Sequence, residues 1–254
     1  MQFDFWFFAI GLASTFAIAL SKGAFGGGLA VLSIPLLSLV MSPIEAAIVT
    51  APLVLVMDLF ALGQFGPSTW SKPDLRWLVP GLLFGIGLGY FFFTAVDPNW
   101  VNIGIGVIAL GFGLDYFLRS RNNQTAHPVS PVLASIAGLA SGFTTFVAHS
   151  GGPPASMYLL RRGLHKTAYA GTLLAIFFVG NLVKLLPFGL LALERPETIK
   201  AAALLVPAIP FGVWAGNKLH DRLDQQQLMF WAYVILTLAA TRLLYSALRA
   251  QFGW

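Results

Sequence analysis

The chain has 254 residues, of which 57% are hydrophobic and only 10% are charged. Its mean hydropathy of +0.78 and formal net charge of +5 are far from the composition of a soluble globular domain. Continuous apolar runs of about 20 residues, each long enough to cross roughly 30 Å of hydrocarbon, predict a polytopic α-helical membrane protein and not a β-barrel. The absence of cysteine excludes thiolate metal sites and thiol catalysis.

The first apolar element, predicted at about 5–21, does not have the pattern of a signal peptide. It carries Asp4 where a signal peptide has a basic n-region, and no clear cleavage site follows, so we expect it to remain as a helix. Further elements are predicted at about 29–41, 43–65, 75–93 and 98–118. The helix that begins at Pro43 has the clearest start, because Ser42 and Glu45 form a capping-box pattern. Together these five elements define a first membrane repeat, residues 1–120.

A polar linker at 121–130 precedes a second membrane repeat, residues 131–254. This repeat again has five apolar elements, at about 129–147, 154–161, 165–191, 199–217 and 226–248. Residue types also match at positions 127 residues apart. The matches are Gly11-Leu12-Ala13-Ser14 with Gly138-Leu139-Ala140-Ser141, and Leu78, Val79, Pro80, Phe84, Gly85, Gly89 and Asp97 with Leu205, Val206, Pro207, Phe211, Gly212, Gly216 and Asp224. One offset shared by two distant blocks predicts an internal duplication, as in many secondary transporters.

The predicted fold class is an all-α integral membrane protein with two inverted-topology repeats. Each repeat has an odd number of crossings. It consists either of five helices, or of three full transmembrane helices plus a Gly-rich element that is broken or re-entrant. The total is roughly 8–10 membrane helices. The distribution of Lys and Arg favours this inversion, because most of these residues fall on one face, which we expect to be cytoplasmic. That face holds Lys72, Arg76, Arg119, Arg121, Arg161, Arg162, Lys166, Lys218 and Arg222, and the other holds Arg195, Lys200, Arg242 and Arg249. We expect the bacterial cytoplasmic (inner) membrane, with both termini periplasmic.

Each repeat contains a Gly-rich interruption at a matching place, at Ser21–Gly28 and at Ala148–Pro154. Non-helical backbone at membrane depth is tolerated only where it is buried in protein or lines a cavity, so the two interruptions predict a binding site near the middle of the bilayer. The 127-residue offset places Lys22 on His149, which gives each interruption a basic side chain. Glycine N–H groups beside such bases suit a carboxylate or a sulfonate.

Two segments resemble the TauE/SafE sulfite exporter family. They are Lys22-Gly23-Ala24-Phe25-Gly26-Gly27-Gly28 through Pro35-Leu36-Leu37 with the Met57-Asp58 pair, and His149-Ser150-Gly151-Gly152-Pro153-Pro154 with Asn181-Leu182-Val183-Lys184-Leu185. The resemblance covers nearly the whole chain and implies movement of sulfite, sulfoacetate or related small anions. The second segment departs from the family at Pro153 and Pro154, where many members continue with glycine, and proline has no N–H to offer.

Three further polar residues lie inside apolar segments, where an ionisable group is a functional hypothesis by default. We assign Asp58 a coupling or gating role, together with His149, against the alternative of a structural ion pair. Lys184 lies at a comparable depth in the matching helix, so it could pair with Asp58 or supply positive charge to the substrate. Asn181 is one turn earlier on a similar face and could donate to an oxyanion or make an interhelical hydrogen bond.

These observations predict a secondary transporter, and not an enzyme, that moves small organosulfur anions by alternating access. The expected direction is export, and the transport is either proton-coupled or downhill. The alternatives are an anion channel, a carboxylate transporter and, more remotely, an intramembrane hydrolase using Ser141 or Ser150. The expected partners are the small anion and the lipid bilayer, with no cofactor, metal or nucleic acid. The predicted substrate-binding residues are Lys22, Gly26, Gly27, Gly28, His149, Ser150, Gly151, Gly152, Asn181 and Lys184.

Overall fold

The structure is a computed structural model that describes residues 3–27, 36–37, 39–92, 98–118, 126–147 and 151–253. These residues form an all-helical protein in which no strand occurs. The helices are α1 (Phe5–Phe25), α2 (Pro43–Ala61), α3 (Lys72–Phe92), α4 (Pro98–Leu118), α5 (Pro131–Val147), α6 (Gly152–Arg161), α7 (Lys166–Leu193), α8 (Pro196–Leu205), α9 (Ala208–Arg222) and α10 (Gln225–Phe252). The predicted element at 29–41 lies largely outside the described residues.

By length and composition, two of the described helices can cross a membrane: α1 and the first 21 residues of α7, Lys166–Leu186. The pair α8 and α9 adds a third candidate if it is counted as one span with a bend of 44°. The sequence predicts one apolar element at about 199–217, and in the structure this region consists of two helices with a bend between them. The chain bends at Val206 and Pro207, since proline has no N–H to continue the helical hydrogen-bond ladder.

The start of α2 confirms the capping-box prediction. The Ser42 hydroxyl accepts from the Glu45 N–H, and the Glu45 carboxylate accepts from the Ser42 N–H at 3.0 Å, with Pro43 in the first turn. The end of α1 corrects another prediction. The helix does not stop at about residue 21 but continues through Lys22 to Phe25, with Gly26 as its C-cap, so it ends four residues later than expected.

The closest helix pairs join the two halves of the chain. Helix α1 packs along α9, and α5 packs along α3, in both cases through glycines. Gly11 lies against Leu205, and Gly138 lies against the backbone of Leu78. Gly138 corresponds to Gly11 under the 127-residue offset, and Leu205 corresponds to Leu78, so the two contacts join corresponding positions. Helix α2 packs on α7, and α4 packs on α10. Small residues at these contacts let helix backbones approach closely, as is usual within membranes.

One end of the helix assembly is tied together by hydrogen bonds between different elements. Gln64 donates to Asp221 at 3.2 Å, and Lys166 Nζ donates to the carbonyl of His220 at 2.8 Å. The His220 ring lies 2.8 Å from the carbonyl oxygen of Ala24 at the end of α1. The ends of α1, α2 and α9 therefore meet the start of α7 at this end, so α1 and α2 run in the same direction.

Candidate functional site

A buried ion pair connects the end of α1 to α2. Lys22 Nζ donates to Asp58 Oδ1 at 2.5 Å, and the two side chains are 1% and 0% exposed. Asn181 of α7 donates to the other carboxylate oxygen of Asp58 at 2.7 Å. The Lys22 ammonium also lies 4.8 Å from the centre of the Phe177 ring, within cation–π range. Asp58 thus connects three helices, and its cationic partner is Lys22. The sequence also allowed a pair between Asp58 and Lys184, which the structure does not form.

The first Gly-rich interruption is shaped to let the Lys22 side chain pass. Gly26 has φ = 74°, a left-handed conformation, and its N–H donates to the Lys22 carbonyl at 3.1 Å as it ends α1. Gly27 has φ = 120°, and a Cβ there would lie 3.1–3.2 Å from the outer atoms of the Lys22 side chain. Glycine is therefore required at both positions. A side chain at either would be strained by φ, and its Cβ would meet the Ala170 carbonyl at Gly26 and crowd the lysine at Gly27.

Lys184 lies one turn beyond Asn181 on α7 and faces the second half of the site. Its Nζ donates to the Thr145 hydroxyl oxygen of α5 at 2.8 Å. Within the described part of the chain, Lys184 has no carboxylate partner. Its ammonium group is therefore held by a neutral hydroxyl, and its charge remains available to an anion.

The second interruption lies between α5 and α6. The Ser141 hydroxyl of α5 donates to the carbonyl oxygen of Gly151, which immediately precedes α6. Pro153 and Pro154 occupy the first turn of α6, where a backbone N–H has no helical partner in any case. The prolines therefore begin this helix without breaking it, and they remove two N–H groups from the anion-favouring end of α6.

The charges around α7 are unequal in the two halves of the site. The Lys22–Asp58 pair is neutral as a unit, whereas Lys184, Thr145 and the start of α6 form a positively polarised region. Lys184 is also close enough to both Lys22 and Asp58 to interact with them electrostatically. This arrangement can attract a small anion to Lys184. It can also let such an anion replace Asp58 as the partner of Lys22.

The predicted site residues fall into three groups. Lys22, Asn181 and Lys184 lie around one stretch of α7, and Asp58 lies with them through its contacts to Lys22 and Asn181. Gly151 and Gly152 lie at the start of α6, Gly151 is beside Thr145, and Gly26 and Gly27 lie beside Lys22. The remaining ones, Gly28, His149 and Ser150, lie outside the described residues.

Sequence reasoning missed Thr145, which has no charge and belongs to no motif. The available signal was its spacing, because Thr145 follows Ser141 by one turn on the helix that leads into the second interruption. A second omission is Asp74, which is fully buried and accepts from Tyr158 at 2.6 Å and from Arg162 at 2.9 Å. The sequence treats Arg162 only as a topology determinant, whereas it makes a partly buried ion pair that fixes the end of α6 to the start of α3.

The structure defines an all-helical protein with more than one helix long and apolar enough to cross a membrane, and with a buried ion pair between its helices. A family model described as Sulfite exporter TauE/SafE matches residues 11–243, which is most of the chain. The chain therefore belongs to the TauE/SafE sulfite exporter family, a family of membrane transporters. Neither the curated proteins nor the solved structures contain a match to this chain.

Proposed function

We propose that this protein is a secondary transporter that exports small organosulfur anions, such as sulfite, sulfoacetate or another C2 sulfonate, across the bacterial cytoplasmic membrane. The observation that carries the proposal is Lys184, a lysine between packed helices that has a hydroxyl and no carboxylate as its partner in the described structure. Ionisable residues in such positions are expensive and mark substrate pathways. Membership of the sulfite exporter family supports an oxyanion as the substrate.

The two halves of the chain are proposed to be inverted repeats that rock against each other. Reciprocal packing supports this idea, because α1 contacts α9 as α5 contacts α3, and α1 and α5 correspond under the 127-residue offset. The contacts of Gly11 with Leu205 and of Gly138 with Leu78 obey the same offset. In alternating access, such a pair of repeats exposes one central site to each side in turn. The face that holds most of the Lys and Arg residues is then cytoplasmic, and both termini are periplasmic.

Asp58 is proposed as the coupling residue. An anion that reaches Lys22 competes with Asp58 for the same ammonium group. Proton exchange at Asp58 would therefore be linked to anion binding. His149, the other residue assigned to coupling, remains a candidate for the same proton pathway, and Gly28 and Ser150 remain candidates for backbone and hydroxyl contacts to the anion.

The test is anion counterflow in liposomes that contain the purified protein. Lys184→Met should raise the KM for the transported sulfonate by about 10- to 100-fold, the range expected for loss of a hydrogen bond to a charged group. Lys200→Met is the matched control, since Lys200 is 65% exposed and pairs with the exposed Glu197, and it should transport like the wild type. Equal KM values for both variants would refute the assignment of Lys184.

A further inference from the structure

Thr144 and Thr145 are adjacent on α5 but use their hydroxyl groups differently. The Thr144 hydroxyl donates back to its own helix, to the carbonyl of Ala140 at 2.7 Å. This is the ordinary arrangement for threonine inside a helix. The Thr145 hydroxyl instead accepts from Lys184 at 2.8 Å and, among the described residues, donates to no acceptor. Its O–H hydrogen is therefore uncommitted within this part of the protein.

The surroundings of Thr145 favour an anionic acceptor for that hydrogen. A Cβ built on Gly151 would lie 3.1 Å from Thr145 Oγ1, so the hydroxyl is directly beside the residue that precedes α6. The start of a ten-residue helix carries a partial positive charge. The Lys184 ammonium lies 2.8 Å from the same oxygen. A hydroxyl that accepts from an ammonium group is also polarised toward donating its own hydrogen.

We infer that Thr145 is a direct ligand of the transported anion. Its O–H donates to one anion oxygen while Lys184 binds a second oxygen of the same anion. Two adjacent donors of this kind select an anion that carries at least two oxygens on one central atom, such as sulfite, a sulfonate or a carboxylate, over a halide. The inference rests on the proposed function and adds a residue and a selection rule to it.

The experiment compares Thr145→Val, which keeps the shape and removes the hydroxyl, with Thr144→Val as the matched neighbour and Thr145→Ser as the hydroxyl-restoring variant. Sulfoacetate binding to the purified protein is measured by titration, chloride competition is measured in the same assay, and melting temperatures are recorded without anion. We expect Thr145→Val to weaken sulfoacetate binding by about tenfold or more and to reduce the preference over chloride. Thr145→Ser should restore both, and Thr144→Val should bind as the wild type does.

A result in which Thr145→Val and Thr144→Val bind sulfoacetate equally well would overturn the inference. So would a Thr145→Val variant whose weaker binding is accompanied by an equal weakening for chloride, because the selection rule would then be wrong. If the wild type binds neither sulfoacetate nor sulfite, the proposed function itself fails. If the wild type binds one of them and only the threonine comparison fails, the proposed function stands without this ligand.

Discussion

The Lys22–Asp58 pair can be tested by a double-mutant cycle, for which we expect a large coupling energy. Asp58→Asn leaves the Lys22 ammonium with almost no exposure to solvent and with no carboxylate beside it. Removing one member of a buried ion pair costs about 3–5 kcal/mol, because the remaining charge stays desolvated. Lys22→Met leaves Asp58 with Asn181 as its one remaining hydrogen-bond partner among the described residues, and a loss of similar size is expected.

The double variant Lys22→Met/Asp58→Asn removes both charges and should recover most of the free energy that either single variant loses. The free energy of unfolding is measured in detergent micelles for all four proteins, and a coupling energy above about 2 kcal/mol is expected. The exposed pair Lys200–Glu197 provides the control cycle, for which coupling below about 1 kcal/mol is expected. Additive losses at Lys22 and Asp58, within about 0.5 kcal/mol, would refute the reasoning.

Two further variants test the geometry around the site. Gly27→Ala should lower the melting temperature and weaken anion binding, because φ = 120° is strained for alanine and the new Cβ crowds the Lys22 side chain; wild-type values for both would contradict this. Asp74→Asn should lower the free energy of unfolding by about 2 kcal/mol, because it removes the carboxylate that accepts from Arg162 at 2.9 Å and from Tyr158, and a loss below about 0.5 kcal/mol would show that this ion pair contributes little.

Local signals in the sequence predicted local structure well. The capping box at Ser42 and Glu45 fixed the start of α2, because both hydrogen bonds lie within four residues. The end of α1 was less predictable. Lys22 and Gly23 read as the beginning of an interruption, but α1 continues past them, since Lys22 is stabilised by Asp58 on another helix. Glycine weakens a helix by only about 1 kcal/mol, which tertiary contacts can exceed.

Two prolines at corresponding positions of the repeats also show that local sequence does not determine where a helix ends. Pro80 and Pro207 are related by the 127-residue offset, yet Pro80 lies inside the continuous helix α3, whereas Pro207 lies at the bend between α8 and α9. The residue type is identical, so the surrounding packing decides whether the chain continues or bends. A single sequence contains no direct signal for that packing.

The chemistry of the site was predicted more completely than its connections. The sequence singled out Lys22, Asp58, Asn181 and Lys184, because charged and amide groups inside apolar segments are conspicuous, and the structure places all four around one stretch of α7. The sequence did not determine which lysine pairs with Asp58. That choice depends on how α1, α2 and α7 cross, and residues 36 and 123 positions apart meet there.

The most direct test of the central claim is counterflow of a labelled small anion into liposomes that contain only this protein. Preloading with unlabelled sulfite or sulfoacetate should accelerate uptake of the labelled anion, uptake should saturate with concentration, and chloride should not substitute for the oxyanion. Uptake that shows neither saturation nor acceleration by the internal anion would indicate a channel. Liposomes that take up none of these anions faster than protein-free liposomes would contradict the account.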